Sequence, residues 1–326
     1  MSQEFTRRRL LGGAAAGAAA LRAGTGRAAV PWPGQPLRLV VPYTPGGSND
    51  AIARPLAEGL GRALGQTVIV ENRPGASGSI GAGFVAGAAP DGHTLLFCSS
   101  TFATSSTILR TPYDAIGSFD TVARLCTAPM MIVGRPGGLE DMAGLVRRAR
   151  EQPGALQYGH AGIGGIGHFT MELFNQAAGL RMEGIPYPGI APAQTDLAGG
   201  RLDFLITTLA SVRGMVEAGR LPVLAGTGAR RMAFAPGVPT VREATGIDYE
   251  VDLWWGVLGP RGLPGPVRER LNREVNALLA QPDFQGFLGV EGATAAPADV
   301  AGFEAAFVAD VRRWRGTARQ LGIGVL

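Results

Sequence analysis

The segment LRLVVPYTPGGSNDAIAR, residues 37–54, carries more information about this chain than any other. Residues 37–41 are a short apolar run suited to a buried strand, and the Ala/Leu spacing that begins at Ala51 is that of a helix. Residues 44–50 must therefore turn the one into the other. Gly46 and Gly47 let the backbone approach a bound group closely, and Ser48, Asn49 and Asp50 all favour a helix cap. A helix start presents unpaired N–H groups at the positive end of a dipole, and both features attract an anion. The turn reads either as a cradle of amides for a carboxylate or as a plain strand-to-helix connection.

Outward from this unit the alternation continues. Strand-like runs at 67–70 (TVIV) and 94–98 (TLLFC) alternate with helix-like runs at 52–64 and 80–88. This βαβ rhythm predicts a parallel sheet with helices on both faces. After a Pro- and Asp-containing link at 112–120 the pattern restarts, with strands at 130–133, 156–158, 204–207 and 223–226 and helices at 142–150 and 168–178. A second α/β domain follows, in keeping with a length of 326 residues. Near the end, 266–280 is an amphipathic helix with Val267, Leu271, Val275, Leu278 and Leu279 on one face, and 300–321 is another. There is no internal repeat.

Composition bounds the function. The chain is 46% hydrophobic, as a globular protein should be, and its 50 glycines imply many tight turns because no Gly/Ser tract accompanies them. The formal charge of +4 is contained in the first 29 residues, where Arg7, Arg8, Arg9, Arg22 and Arg27 face only Glu4. The remainder is neutral overall and offers no basic face to a nucleic acid. Thr6-Arg7-Arg8-Arg9-Leu10-Leu11 is a twin-arginine pattern, followed by a mild apolar stretch and small residues suited to cleavage near 26–29. Residues 1–29 are expected to be an export signal, and the mature protein periplasmic. No later stretch is long and apolar enough to span a bilayer, which takes about 20 residues. Cys98 and Cys126 fit an oxidising compartment and could pair, or each could stay a buried thiol.

A second glycine-rich turn, Gly162-Ile163-Gly164-Gly165-Ile166-Gly167-His168, satisfies G-x-G-x-x-G, with Glu183 at the spacing of a ribose-binding acid. It supports an alternative function, an exported NAD(P)-dependent oxidoreductase, although the strand before it is weak and the motif opens no domain. Under either reading it presents free amides at a helix start. Other catalytic machinery is hard to find. No Ser lies in G-x-S-x-G, no H-E-x-x-H occurs, and His93, His160 and His168 lack metal-ligand spacing. His160 and His168 flank the second turn and either touch a ligand or make structural hydrogen bonds. Asp50 is a general base, a cap or the partner of a ligand amine. Trp254 and Trp255 wall a pocket or fill the core.

Several motifs in fixed order resemble one family. They are Pro42-Tyr43-x-x-Gly46-Gly47-x-x-Asp50, Glu71-Asn72-Arg73-Pro74-Gly75-x-x-Gly78-x-Ile80-Gly81 and Pro90-Asp91-Gly92-His93-Thr94-Leu95-Leu96. Pro186-Tyr187-x-Gly189-x-x-Pro192, Gly200-x-x-Asp203, Val238-Pro239-Thr240, Trp255-Gly256 and Gly259-Pro260 complete the set. Over 37–326 the chain resembles the periplasmic solute-binding proteins of tripartite tricarboxylate transporters, the Bug (TctC-like) family.

The resemblance implies an α/β, two-lobed periplasmic-binding-protein architecture of type II, a Venus flytrap in which each lobe is a mainly parallel sheet flanked by helices. Lobe 1 would comprise 35–122 and 230–326, and lobe 2 would comprise 123–229. The implied function is capture of a small organic carboxylate for a tripartite tricarboxylate-type transporter, by a monomer, without catalysis, cofactor or metal. First-lobe ligand contacts carried onto this chain are Tyr43, Thr44, Gly46, Gly47 and Asp50, then Ser100 and Thr101. Second-lobe contacts are Ala161, Gly162, Gly164, Gly165, Ile166 and His168, then Tyr187, Thr207 and Thr208. The family's second turn usually carries Ser or Thr near positions 160, 161 and 165, where this chain has His160, Ala161 and Gly165, which implies a larger or differently polar ligand. The chain contains no lysine, and neither turn contains an arginine. Charge compensation is then expected from helix dipoles, with ligand shifting an open–closed equilibrium.

Overall fold

The computed structural model describes residues 32–324, so the export signal expected at 1–29 lies outside the described residues. From Leu37 onward the chain alternates as its sequence suggests. β1 (Leu37–Val41) leads into α1 (Ser48–Leu64), followed by β2 (Val68–Asn72), α2 (Ser79–Ala86), β3 (Thr94–Ser99) and α3 (Ser100–Ile108). The helix begins ahead of Ala51 because Gly47, in an extended conformation, takes the capping position that Ser48, Asn49 and Asp50 could each have filled. Next come β4 (Phe119–Pro129), β5 (Met131–Gly134), α4 (Met142–Glu151), β6 (Gln157–His160), α5 (Ile166–Ala178), β7 (Glu183–Pro186), α6 (Ile190–Ala198), β8 (Phe204–Thr207), α7 (Leu209–Glu217) and β9 (Val223–Gly226). The chain closes with α8 (Val241–Thr245), β10 (Asp252–Pro260), α9 (Gly265–Leu279), α10 (Pro282–Val290), β11 (Thr294–Ala295) and α11 (Val300–Gln320).

These strands form two sheets, ordered β11-β4-β10-β3-β1-β2 and β7-β6-β8-β5-β9. In the first, β1 is parallel to β2 and β3, while β10 runs antiparallel to β3 and β4. In the second, β6 is parallel to β7 and β8, and β5 runs antiparallel to β8 and β9. Each sheet is thus mixed rather than mainly parallel as expected, because β10 with β11 in the first and β5 in the second run against their neighbours; both sheets are covered by helices, and the protein has two lobes.

The long strand β4 has no counterpart in the sequence reading, whose link at 112–120 overlaps only its first two residues. Its side chains are buried on both faces, so the alternation that reveals a half-buried strand is absent. It also opens with a buried carboxylate, Asp120, which accepts hydrogen bonds from the backbone of Gly262 (2.7 Å) and Leu263 (2.9 Å) and from Arg261 (3.1 Å). β4 runs through the lobe limit expected after residue 122 and stays in the first sheet to Pro129. Cys98 and Cys126 are buried free thiols. β10 separates their strands, pairing Gly256 with Cys98 and Trp255 with Cys126. Two strand spacings, about 9.5 Å, exceed the reach of a disulfide.

The chain passes from the first sheet to the second at Met130 and returns at Val251. Thr227 lies between the crossings and binds both. Its N–H donates to the Met130 carbonyl (2.9 Å) and its carbonyl accepts from Val251 N–H (3.0 Å). Its hydroxyl accepts from Met130 N–H (2.8 Å) and donates to the Val251 carbonyl (2.6 Å).

Candidate functional site

The carboxyl ends of β1, β3, β6, β7 and β8 all open onto the space between the lobes, and the helix that follows each strand starts there. Ligands in open α/β sheets settle in this position because the helix N-termini point into it. None of α1, α3, α5, α6 and α7 has a side-chain cap. Three helices elsewhere do carry one. Asp141 caps α4, Thr240 forms a reciprocal capping box with Glu243 on α8, and Asp299 caps α11. α2, α9 and α10, away from the cavity, also lack a side-chain cap, and α9 and α10 carry a proline within their first two positions.

The starts of α1, α3, α5, α6 and α7 surround a cavity of about 90 Å³. The first lobe contributes Tyr43, Thr44, Gly47, Ser48 and Asn49, then Ser99 and Thr101. From the second lobe come Ala161, Gly165, Ile166 and Gly167, then Gly189 and Ile190, then Ile206, Thr207, Thr208 and Ser211. The crossing strands supply Met130 and Leu253. No lining side chain is charged. The Asn49 Oδ1 and Ser99 Oγ atoms are buried without a hydrogen-bond partner in a structure whose buried polar atoms are otherwise mostly paired. Burial, with Cys98 and Tyr113 nearby, pushes the Tyr43 phenol well above its usual range, so it stays neutral.

Of the residues expected to hold a ligand, Tyr43, Thr44, Gly47, Thr101, Ala161, Gly165, Ile166, Thr207 and Thr208 come together around this cavity. The others stand behind or beside it. Asp50 is buried, and its carboxylate accepts from Gly46 N–H (3.2 Å), Arg54 Nε (3.0 Å) and Nη2 (2.8 Å), and Asn72 Nδ2 (3.0 Å). Burial raises its pKa, but the hydrogen bonds from Arg54, Asn72 and Gly46 and the Arg54 charge outweigh that and leave it lowered. With four donors on it, Asp50 shapes the first turn and is not free to act as a base. Asn72 also donates to the Tyr43 carbonyl (3.1 Å), so one network fixes both ends of the turn. Ser100 accepts from Trp254 N–H (2.9 Å) and ties α3 to β10.

The histidines brace the second turn. His160 is buried, and its Nδ1 lies 2.9 Å from the Gly162 carbonyl, which requires the proton to be on that nitrogen. His168 stacks on it with ring centroids 5.0 Å apart, and its Nδ1 faces Gly164 N–H at 3.4 Å. Burial, helped by His168, drives the His160 pKa down to about 4 against the bond to Gly162. His168 is lowered too, by burial and in spite of Glu172. Gly162 and Tyr187 line a groove adjoining the cavity. Trp255 is core, and Trp254 donates its Nε1–H to Asp310 (2.8 Å).

Sequence reasoning missed Ser48, Asn49, Ser99, Gly167, Gly189 and Ser211, each adjacent or close in the chain to a residue it did select. It had no signal for Met130, Ile190, Ile206 or Leu253, which the fold brings in.

The oxidoreductase alternative fails on geometry. A ribose-binding acid must sit at the carboxyl end of the strand beside the glycine turn. β7 is parallel to β6 with Glu183 opposite Gln157 and Pro186 opposite His160, so Glu183 lies at the far end, about 10 Å along the strand from the turn.

Comparison with known proteins agrees. Residues 52–322 match the family model described as "Tripartite tricarboxylate transporter family receptor". The structure of R. palustris Rpa4515 with adipate is 34% identical with a TM-score of 0.86, covering 90% of this chain and 100% of that one. The periplasmic binding protein BugD is 31% identical with a TM-score of 0.84 and coverages of 90% and 100%. MatC (Rpa3494) from Rhodopseudomonas palustris with bound malate is 28% identical with a TM-score of 0.81 and coverages of 88% and 99%.

Proposed function

The chain belongs to the tripartite tricarboxylate transporter receptor family, and from that premise we propose that it captures a small organic acid with an uncharged body between its lobes and releases it chemically unchanged to the membrane subunits of such a transporter. The observation that carries this reading is the convergence of five uncapped helix starts on a cavity without a charged side chain. Amides and dipoles compensate a carboxylate there. An amino acid is a poor fit, because its ammonium would meet no counter-ion. Asp50, the carboxylate nearest in sequence to the first turn, does not line the cavity and is engaged by Arg54, Asn72 and Gly46.

The proposed ligand contacts are the lining residues, with Asp50, His160 and His168 as supports behind them. The lobes are taken to hinge at Met130 and Val251, and the protein to act as a monomer. Residues 1–29 are taken as a twin-arginine signal delivering it to the periplasm, so replacing Arg8 and Arg9 by Lys should leave the chain in the cytoplasm on fractionation.

Melting curves of the mature chain with succinate, malate and adipate, set against aspartate and glutamate, test the ligand class. An acid at 100 times its Kd should add about 2.7 kcal/mol of stability. Stabilisation by the amino acids equal to that by the unsubstituted acids would overturn the uncharged-body reading.

A further inference from the structure

Beside the main cavity lies a groove of about 400 Å³ that the binding reading leaves unused. We propose that it is a second subsite, holding the methylene chain of an acid whose one carboxylate sits in the main cavity and whose second, where present, stays in solvent at the groove's mouth, so that the receptor accepts longer acids than the main cavity alone can enclose. The inference rests on the carboxylate reading and adds the chemistry of the rest of the ligand.

The two spaces share Tyr43, Thr44 and Ala161 as lining, so they adjoin where the second turn carries only a methyl group. The groove's own walls are Pro42, Pro74, Tyr187 and Pro188, closed by the backbone of residues 75–78. Proline rings and an aromatic face suit methylenes or an aromatic ring, and no charged side chain lines the groove. Tyr187 is fixed in place: its hydroxyl donates to Asp196 (2.7 Å), and Arg201 holds the other oxygen of that carboxylate (2.6 Å).

The loop that closes the groove is strained. Four consecutive residues, Gly75, Ala76, Ser77 and Gly78, have φ of 130°, 45°, 50° and 93°, and two of them are not glycine. Such conformations are costly for a non-glycine residue and persist where the surroundings impose them. Here the surroundings include the opposite lobe, because the Ser77 hydroxyl donates to the Ile163 carbonyl (2.7 Å). A Cβ on Gly162 would lie 2.9 Å from Ser77 Oγ, and one on Gly78 would lie 3.0 Å from the Tyr43 hydroxyl. The loop approaches both turns as bare backbone and roofs the groove when the lobes are together.

Calorimetric titration of the mature protein with succinate, adipate, suberate and sebacate reads the effect directly. Affinity should rise from adipate to suberate and sebacate, by about twofold to fourfold for each methylene the groove buries. Pro188→Trp, and independently Pro74→Trp from the opposite wall, should abolish that rise while succinate binds within about twofold of the parent, since each methylene left in solvent forfeits its gain. Circular dichroism verifies that each variant is folded. Succinate and adipate binding with suberate and sebacate excluded, or a rise that survives both substitutions, overturns the groove and leaves the carboxylate reading standing. No binding by any of the four acids defeats that reading, and the groove with it.

Discussion

The two glycine-rich turns face one cavity but are held in different ways. The first, 44–50, is fixed by its own lobe: Asp50 gathers Gly46, Arg54 and Asn72, and Asn72 reaches back to Tyr43. The second, 161–165, has an internal brace in His160 and His168, and it also leans on the opposite lobe. Ser77 bonds Ile163, Thr101 Oγ1 stands 3.5 Å from Ile166 N–H, and the Ile108 side chain packs where Gly164 lacks a Cβ. One half of the cradle is therefore held within its own lobe, and the other is completed only where the lobes meet. An acid should dock first on the prebuilt half, and closure then adds the second set of amides.

The largest expected effect tests the prebuilt half. Asp50→Ala removes the acceptor of four hydrogen bonds from Gly46, Arg54 and Asn72, and should cost about 3 kcal/mol of folding stability together with at least about tenfold in acid affinity. A loss of stability below about 1 kcal/mol in urea unfolding would mean the first turn keeps its shape without that network.

The histidine brace gives a pH test of the second half. His160 titrates at about 4 when folded, against an ordinary value of 6.5, so the unfolded chain binds its proton first. Stability from this residue is full above the ordinary value and drains away as pH falls toward the folded one, the depressed His168 acting in the same sense. The wild type should lose about 2 kcal/mol between neutrality and about pH 4.5, and His160→Gln should flatten that part of the curve. Coincident profiles for the two proteins would remove His160 from the account.

A matched glycine pair should give the smallest effect and the sharpest contrast. Gly46 and Gly164 both have positive φ, 86° and 76°, but an added Cβ meets nothing at Gly46 and comes within 2.8 Å of Ile108 at Gly164. Each alanine should cost about 1 kcal/mol in backbone strain. Only Gly164→Ala should also oppose closure and weaken acid binding further, and Ile108→Ala should restore it. Equal affinities in the two single variants would erase the asymmetry between the turns.

How much of this could be read from the sequence depended on whether a signal was local. β1, the first turn and α1 were legible because strand, glycine pair and helix follow one another within 37–54. The second turn was legible for the same reason, and its G-x-G-x-x-G spacing misled only about cofactor, since strand direction at Glu183 is invisible without pairing. β4 was hidden by burial on both faces and by Asp120, which looks like loop until Gly262 and Leu263 arrive to bond it. The starts of α3, α6 and α7 carry no glycine cluster, so only the fold reveals that five helices converge. Leu253 and Met130 were beyond reach because their role follows from lying where the chain changes sheets.

Thr227 gives that change of sheets a mechanical meaning. One residue is hydrogen-bonded to both connecting threads through its peptide groups and its hydroxyl, so neither thread can twist without turning the other. If the lobes hinge there, such an axle would leave the halves little freedom except to swing about a common line. On the hinged reading proposed above, occupancy of the interior would become a fixed change of outline at the distant rims, a shape that a docking membrane protein could distinguish from the empty form without touching the cargo.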